Sequence, residues 1–110
     1  MPANVESIVK KFAEELKTIF PGAVDSIIVF GSYARGDYTD LSDVDIMVLV
    51  SLSEEEICKR KNTAYDLAFD YLMESGIDFS VIIKNVKHFN KWANQLPFYR
   101  NVKREGIKIA

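Results

Sequence analysis

Apolar residues in the first twenty positions, Val5, Ile8, Val9, Phe12, Leu16, Ile19 and Phe20, recur at spacings of three and four. That period places them on one stripe of an amphipathic helix, with Asn4 as its predicted N-cap and Pro21-Gly22 as its stop. The stripe predicts a helix laid over a sheet. A membrane-surface role fits less well, because Glu6, Glu14 and Glu15 share the polar face with three lysines. The pattern then changes. Residues 25–30 turn apolar at consecutive positions, as a strand buried on both faces does, and Gly31 ends it. Residues 32–36 predict a tight turn entering a short helix, and 37–42 a polar loop.

Residues 43–50 form the second predicted strand, with Asp43, Asp45, Met47 and Leu49 on one face and Val44, Ile46, Val48 and Val50 on the other. Ser53 followed by Glu54, Glu55 and Glu56 combines a capping hydroxyl, a glutamate three residues on and acid at the positive end of a helix dipole. The helix it starts should run to Ser75, bury Ile57, Ala64, Ala68, Tyr71 and Leu72, and close at Gly76. A third strand over 77–83 sets Asp78, Ser80 and Ile82 opposite Ile77, Phe79, Val81 and Ile83. Asn85 caps a helix to Asn94, Pro97 sits in the first turn of another to Arg104, and 107–109 form an edge strand after Gly106. This order gives an α/β sandwich, an α+β arrangement of two layers in which a small mixed sheet is flanked by helices, as one domain over 1–110.

Composition narrows the class. A chain of 110 residues can bury roughly two-thirds of its unfolded surface without staples. Its single cysteine, Cys58, excludes a disulfide framework or a cysteine zinc site. Together with polar Asn4, Glu6 and Lys10 at the start, this predicts a reducing cytoplasm and no signal peptide. No apolar run approaches the length of about 20 residues that spans a bilayer. The net charge of −2 hides an asymmetry: residues 1–78 carry 7 Lys/Arg against 15 Asp/Glu, and residues 79–110 carry 7 against Glu105 alone. The basic third suits a polyanion or an acidic partner, or simply balances the acidic part as a solvated surface.

The candidate chemistry lies between residues 31 and 45. Asp43 and Asp45 share a strand face at roughly 6.5 to 7 Å. If the strand carrying Asp78 pairs alongside, a third carboxylate joins them. Two like charges 4 Å apart repel by about 4 kcal/mol at an effective dielectric of 20. Either one carboxylate takes up a proton or a cation resolves the conflict. Oxygen-only ligands favour Mg²⁺, which takes one or two protein carboxylates and completes its shell with water and phosphates. Gly31 lets backbone approach closely, Ser32 offers a hydroxyl and an N–H at a helix start, and Arg35 supplies counter-charge, so the same stretch can hold phosphates. Trp92, Phe98 and Tyr99, interleaved with Lys91, Arg100 and Lys103, could stack on a base or pack in the core. His88, the only histidine, has no other nitrogen or sulfur ligand in prospect and reads as an ordinary helix residue. Lys59, Arg60 and Lys61 read as a solvated helix face.

Gly31-Ser32, ten residues and then Asp43-x-Asp45, within Gly-Ser-Tyr-Ala-Arg-Gly and Ser-Asp-Val-Asp-Ile-Met-Val, resembles the signature of the nucleotidyltransferase superfamily that includes DNA polymerase beta. The small size, the Ile-Asp-Phe at 77–79 and the segment 97–106 resemble its minimal branch, the antitoxin-type partners of HEPN toxins. The resemblance implies the nucleotidyltransferase fold, with Asp43, Asp45 and Asp78 as catalytic residues holding two Mg²⁺ ions. Gly31, Ser32, Arg35 and Ser42 would then contact the nucleoside triphosphate, ATP being the expected substrate. It further implies transfer of AMP to a hydroxyl of a partner macromolecule, for this branch a tyrosine of a helical HEPN toxin. The rival readings are a non-catalytic antitoxin that masks its partner, and a transferase acting on RNA ends or a small molecule. A homo- or hetero-oligomer remains compatible with the sequence.

Overall fold

A computed structural model describes all residues 1–110. The first helix, α1 (Ala3–Ile19), buries Val9, Phe12, Ala13 and Leu16 from its predicted stripe. Its start differs from the expectation. Pro2 occupies the N-cap position with φ −57° and ψ 145°, no side chain caps the helix, and Asn4 already lies in the first turn. Proline fixes φ without needing a donor, and its carbonyl accepts the Glu6 N–H at 2.9 Å.

Four strands, β1 (Val24–Phe30), β2 (Val44–Val50), β3 (Phe79–Asn85) and β4 (Ile107–Lys108), form one sheet in the order β3-β2-β1-β4. β1 runs antiparallel to β2 and to β4, whereas β2 and β3 are parallel, so the sheet is mixed. A parallel pair needs a crossover, and α3 (Glu54–Ser75) supplies it. Its cap is as read: Ser53 accepts the Glu56 N–H at 3.2 Å and donates its hydroxyl to Glu56 Oε1 at 3.3 Å, while Gly76 closes the far end in a left-handed conformation. Leu72, expected in the core, is only half-buried. Arg60, expected on the solvated face, instead reaches across to donate to the Ile19 carbonyl at 3.2 Å.

The third strand is displaced by two residues from its expected bounds. Lys84 and Asn85 pair with Leu49 and Val50, so the strand runs on, while Ile77 and Asp78 lie just before it. Asn85 ends the strand and caps α4 (Val86–Trp92), its Oδ1 accepting the His88 N–H at 3.0 Å. That helix ends at Trp92, two residues early. α5 (Pro97–Glu105) carries Pro97 in its first turn, as expected. The last strand stops at Lys108, although Ile109 still donates to the Ile27 carbonyl at 2.9 Å.

β2 is the axis of the core, buried on both faces. Val44, Ile46, Val48 and Val50 pack with the α1 and α3 residues in the main cluster, where the Phe12 ring stacks on Phe79 at 4.2 Å. Glu15 of α1 receives the Tyr71 hydroxyl of α3 at 2.6 Å, which joins the two helices. Met47 and Leu49 on the other face meet Phe89, Ala93, Tyr99 and Val102 from the α4–α5 segment. The turn at Gly31 and the two aspartates thus stand at one end of a strand that cannot shift without breaking two apolar clusters.

Candidate active site

The sheet brings Gly31, Asp43, Asp45 and Asp78 to one end of its strands. Because β1 is antiparallel to β2 and β2 is parallel to β3, the end of β1 and the beginnings of β2 and β3 coincide there. Phe30 pairs with Asp45, Asp45 with Ser80, and the Val44 N–H donates to the Asp78 carbonyl at 2.9 Å. Asp43 and Asp78 therefore sit level with each other at the two strand entrances.

After Phe30 the chain turns through Gly31 (φ 73°, ψ −151°) into the one-turn helix α2 (Ser32–Arg35). A Cβ at Gly31 would overlap Asp45 Oδ2, so the turn can cross the carboxylate only without a side chain. Ser32 and Arg35 are thereby held beside Asp45. They line a cavity of about 350 Å³ with Phe30, and its opposite wall is the face of α5 carrying Phe98, Asn101, Val102 and Glu105. Phe30 and Phe98 meet edge to face at 5.6 Å.

Arg35 is half-exposed, with Nε donating to Asp37 Oδ2 at 3.3 Å and Nη1 lying 3.8 Å from Glu105 Oε2. Asp45 is half-buried and its carboxyl is held above the usual aspartate range, first by burial and next by the charge of Asp43, with Arg35 opposing both. The like-charge conflict anticipated from the strand alternation is therefore present at Asp45.

Asp43 and Asp78 are exposed and line a neighbouring cavity of about 300 Å³ with Tyr33, Ser42 and Ile77. The loop over it is stiffened by Tyr33 and Tyr38, stacked at 4.5 Å with rings 2° from parallel. Ser42 accepts the Thr39 N–H at 2.9 Å and returns its own N–H to the Thr39 carbonyl at 3.0 Å. Its hydroxyl is engaged in a turn, and the structure does not bring it to the cavity of Gly31, Ser32 and Arg35.

As the side chains stand, no three His, Cys, Asp or Glu residues converge closely enough to enclose a metal ion. Mg²⁺ does not require such a cage: it takes one or two protein carboxylates and completes its octahedron with water and phosphate oxygens. Asp43 and Asp45 are two carboxylates of the kind such a site uses, and the Ser32 hydroxyl and the N–H groups at the start of α2 lie beside Asp45, where they could meet phosphate oxygens.

Of the wall formed by α5, sequence reasoning singles out Phe98 and misses Asn101, Val102 and Glu105 as site residues. Phe98, Asn101, Val102 and Glu105 follow the spacing 3-4-7 of one helix face, a signal present in the sequence but carried on a helix of only nine residues. Of the three aromatics considered for base stacking, Tyr99 is buried and Trp92 packs beside it against the second cluster, and only Phe98 reaches the cavity. His88 is exposed, its ring edge-on to Tyr99 at 5.9 Å.

A family model described as a nucleotidyltransferase domain matches residues 9–109. A curated relative from Methanocaldococcus jannaschii, named "Putative protein adenylyltransferase", is 37% identical over 103 residues, covering 94% of this chain and 95% of its own. Among solved structures, a "putative nucleotidyltransferase" from Sulfolobus solfataricus superposes with a TM-score of 0.56 at 21% identity, over 93% of this chain and 76% of that one. A chain from a toxin-antitoxin complex with AMP-PNP gives 0.56 at 18% identity, over 92% and 72%. At these identities the two superpositions speak to the fold.

Proposed function

The chain belongs to the nucleotidyltransferase domain family, and we propose that it transfers AMP from ATP, with Mg²⁺, to a hydroxyl of a partner protein. The observation that carries the reading is the overlap a side chain at Gly31 would make with Asp45, which ties the phosphate turn to the metal-binding carboxylate. Gly31 and Ser32 would hold the triphosphate by backbone N–H groups and the hydroxyl, and Arg35 would exchange Asp37 and Glu105 for phosphate oxygens. Asp43 and Asp45 would hold two Mg²⁺ ions, with Asp78 as a further ligand. When bound, the metal supplies charge neutralisation at the attacking and departing oxygens. The acceptor oxygen forms a bond to the α-phosphorus, the bond to the bridging oxygen breaks, and pyrophosphate leaves with that electron pair. Asp78, level with Asp43 and open to solvent, is the group suited to take the hydroxyl proton.

The toxin-antitoxin context of one structural neighbour and the basic C-terminal third support a separate protein, a HEPN-type helical toxin, as the source of the acceptor. The second reading, an antitoxin that masks its partner without chemistry, has its own support: Asp45 and the Asp43–Asp78 pair open into two cavities rather than one. One experiment separates them. Incubation of the chain with labelled ATP, Mg²⁺ and the partner should yield partner carrying AMP. Transfer that survives Asp43→Ala combined with Asp45→Ala would sink the catalytic reading, and full neutralisation of the partner by that variant would favour masking.

A further inference from the structure

We propose that the groove between the start of α5 and β3 docks an acidic segment with apolar side chains, carried by the protein that receives AMP; this docking role rests on the transfer reading above. The groove is the largest cavity of the chain, about 620 Å³, lined by Ile82, Lys84, Leu96, Pro97, Phe98 and Tyr99. Leu96 and Phe98 stand 42% and 44% exposed. Phe98 also lines the cavity of Gly31, Ser32 and Arg35, so a segment seated in the groove lies against the candidate nucleotide site.

The layer that bears the groove is basic. α4 and α5 carry Lys87, Lys91, Arg100, Lys103 and Arg104 against Glu105 alone. Glu105 lies 3.8 Å from both Arg35 and Arg104 and is not part of the groove lining. Arg100 stands exposed one helical turn after Leu96, its N–H donating to the Leu96 carbonyl at 2.9 Å. Neither Arg100 nor Lys84 takes part in any of the chain's ion pairs. On the far flank of β3, Glu54 shares another cavity with Lys84 without pairing with it. α5 begins in the groove with no side-chain cap, so the positive end of its dipole adds to the same field. The chain leaves these charges for an acidic occupant to match.

The apolar lining decides which acidic occupant fits. The phosphates of a single-stranded nucleic acid would use the cations, but its bases need open ring faces to stack on. Tyr99 is buried, and Phe98 already meets Phe30 edge to face. A second copy joined by a two-fold axis through this face would set the basic layer on itself. An acidic protein segment satisfies both halves of the groove. Its apolar side chains fill the space over Ile82, Leu96 and Pro97, and its carboxylates meet Lys84 and Arg100. In such an interface the apolar anchors hold the segment, and the charges steer it in and fix its register.

The test is fluorescence anisotropy of the full chain with a short labelled peptide of Glu, Leu and Phe, located on the chain by amide chemical shifts. The peptide should bind, more weakly as salt rises, and should shift the amides of 82–84 and 98–100. Peptides with Lys in place of Glu, or Ser in place of Leu and Phe, should bind about tenfold more weakly or worse. Leu96→Asp puts a carboxylate in the groove and keeps α5, because aspartate is a preferred N-cap where leucine is not. It should weaken the peptide about tenfold with an unchanged circular dichroism spectrum, and Leu96→Asn should weaken it less. No binding of the peptide, or wild-type affinity in Leu96→Asp, overturns the proposal. An equal loss in Leu96→Asn removes the acidic occupant. A single-stranded RNA oligonucleotide that binds these residues more tightly than the peptide also overturns it, as does a dimer of the chain that Leu96→Asp dissociates. Leu96 lines neither cavity of the candidate active site, so Leu96→Asp should bind ATP as the wild type does while AMP transfer to the partner falls. Undiminished transfer in that variant sinks the docking surface and leaves the transfer reading standing. Peptide binding by a chain that transfers no AMP does the reverse.

Discussion

The space that a side chain of Gly31 would fill is occupied by the carboxylate of Asp45. Gly31 directly follows β1 and Asp45 is the second residue of β2, and they face each other because Phe30 pairs with Asp45 across the antiparallel ladder. Gly31→Ala should therefore fail twice, through a backbone at φ 73° that alanine resists and through expulsion of the carboxylate. The expected cost is about 1–3 kcal/mol of stability, together with loss of AMP transfer. Denaturant unfolding read beside transfer would show it; an alanine variant with wild-type activity would refute the pairing.

Asp45→Asn should raise stability at neutral pH while abolishing transfer. Burial and Asp43 lift the carboxyl of Asp45 above the ordinary 3.8, so the folded state holds that proton more tightly than the unfolded chain does. The contribution of the protonated form is fully present below 3.8 and is lost as pH rises through the folded value, leaving an ionised group that opposes folding. Asparagine removes the ionisation. The gap between variant and wild type should open with rising pH and close in acid, measured by unfolding in the presence of chelator. A gap that widened in acid would contradict the burial argument.

Glu105, the only acid of the C-terminal third, lies 3.8 Å from Arg35 at the end of α5, where the helix dipole disfavours it. It competes with phosphate for Arg35 and adds negative charge to the cavity wall. Glu105→Gln should tighten ATP binding by up to about fivefold, the most that breaking a surface ion pair of about 1 kcal/mol allows. Binding measured at low and high salt would test this, since the gain should shrink as salt screens the pair.

The strand alternation and the capping box made the sheet and α3 legible, and the spacing from Gly31 to Asp45 made the site legible, because each is a local pattern with a single geometric reading. What escaped depended on neighbours. Lys84 and Asn85 look like the end of a strand until Leu49 and Val50 hold them in the ladder. Ser42 stands beside Asp43 in the sequence, yet Thr39 folds back onto its hydroxyl and it lines the cavity of Asp43 and Asp78, not that of Gly31, Ser32 and Arg35. Asn101 and Glu105 acquire a role only because α5 packs over Phe30, a contact between residues some seventy apart that no window of the sequence contains.

Removing the metal should separate the roles of the three aspartates. If Asp43 and Asp45 hold Mg²⁺ against the triphosphate, ATP and Mg²⁺ at about a hundred times their Kd should stabilise the fold by about 2.7 kcal/mol. For a domain of this size that is an upward shift in Tm of roughly 10 °C or more. EDTA should cancel most of it, leaving the smaller shift that Gly31, Ser32 and Arg35 give ATP alone. Asp43→Ala with Asp45→Ala should behave as if EDTA were always present. Asp78→Ala should differ from both: it retains the two carboxylates and most of the Mg²⁺-dependent shift, yet loses AMP transfer because the acceptor hydroxyl keeps its proton. Wild-type transfer by Asp78→Ala would remove that residue from the mechanism. Loss of the shift in Asp78→Ala would instead make it principally a ligand, drawn to the metal from its position level with Asp43.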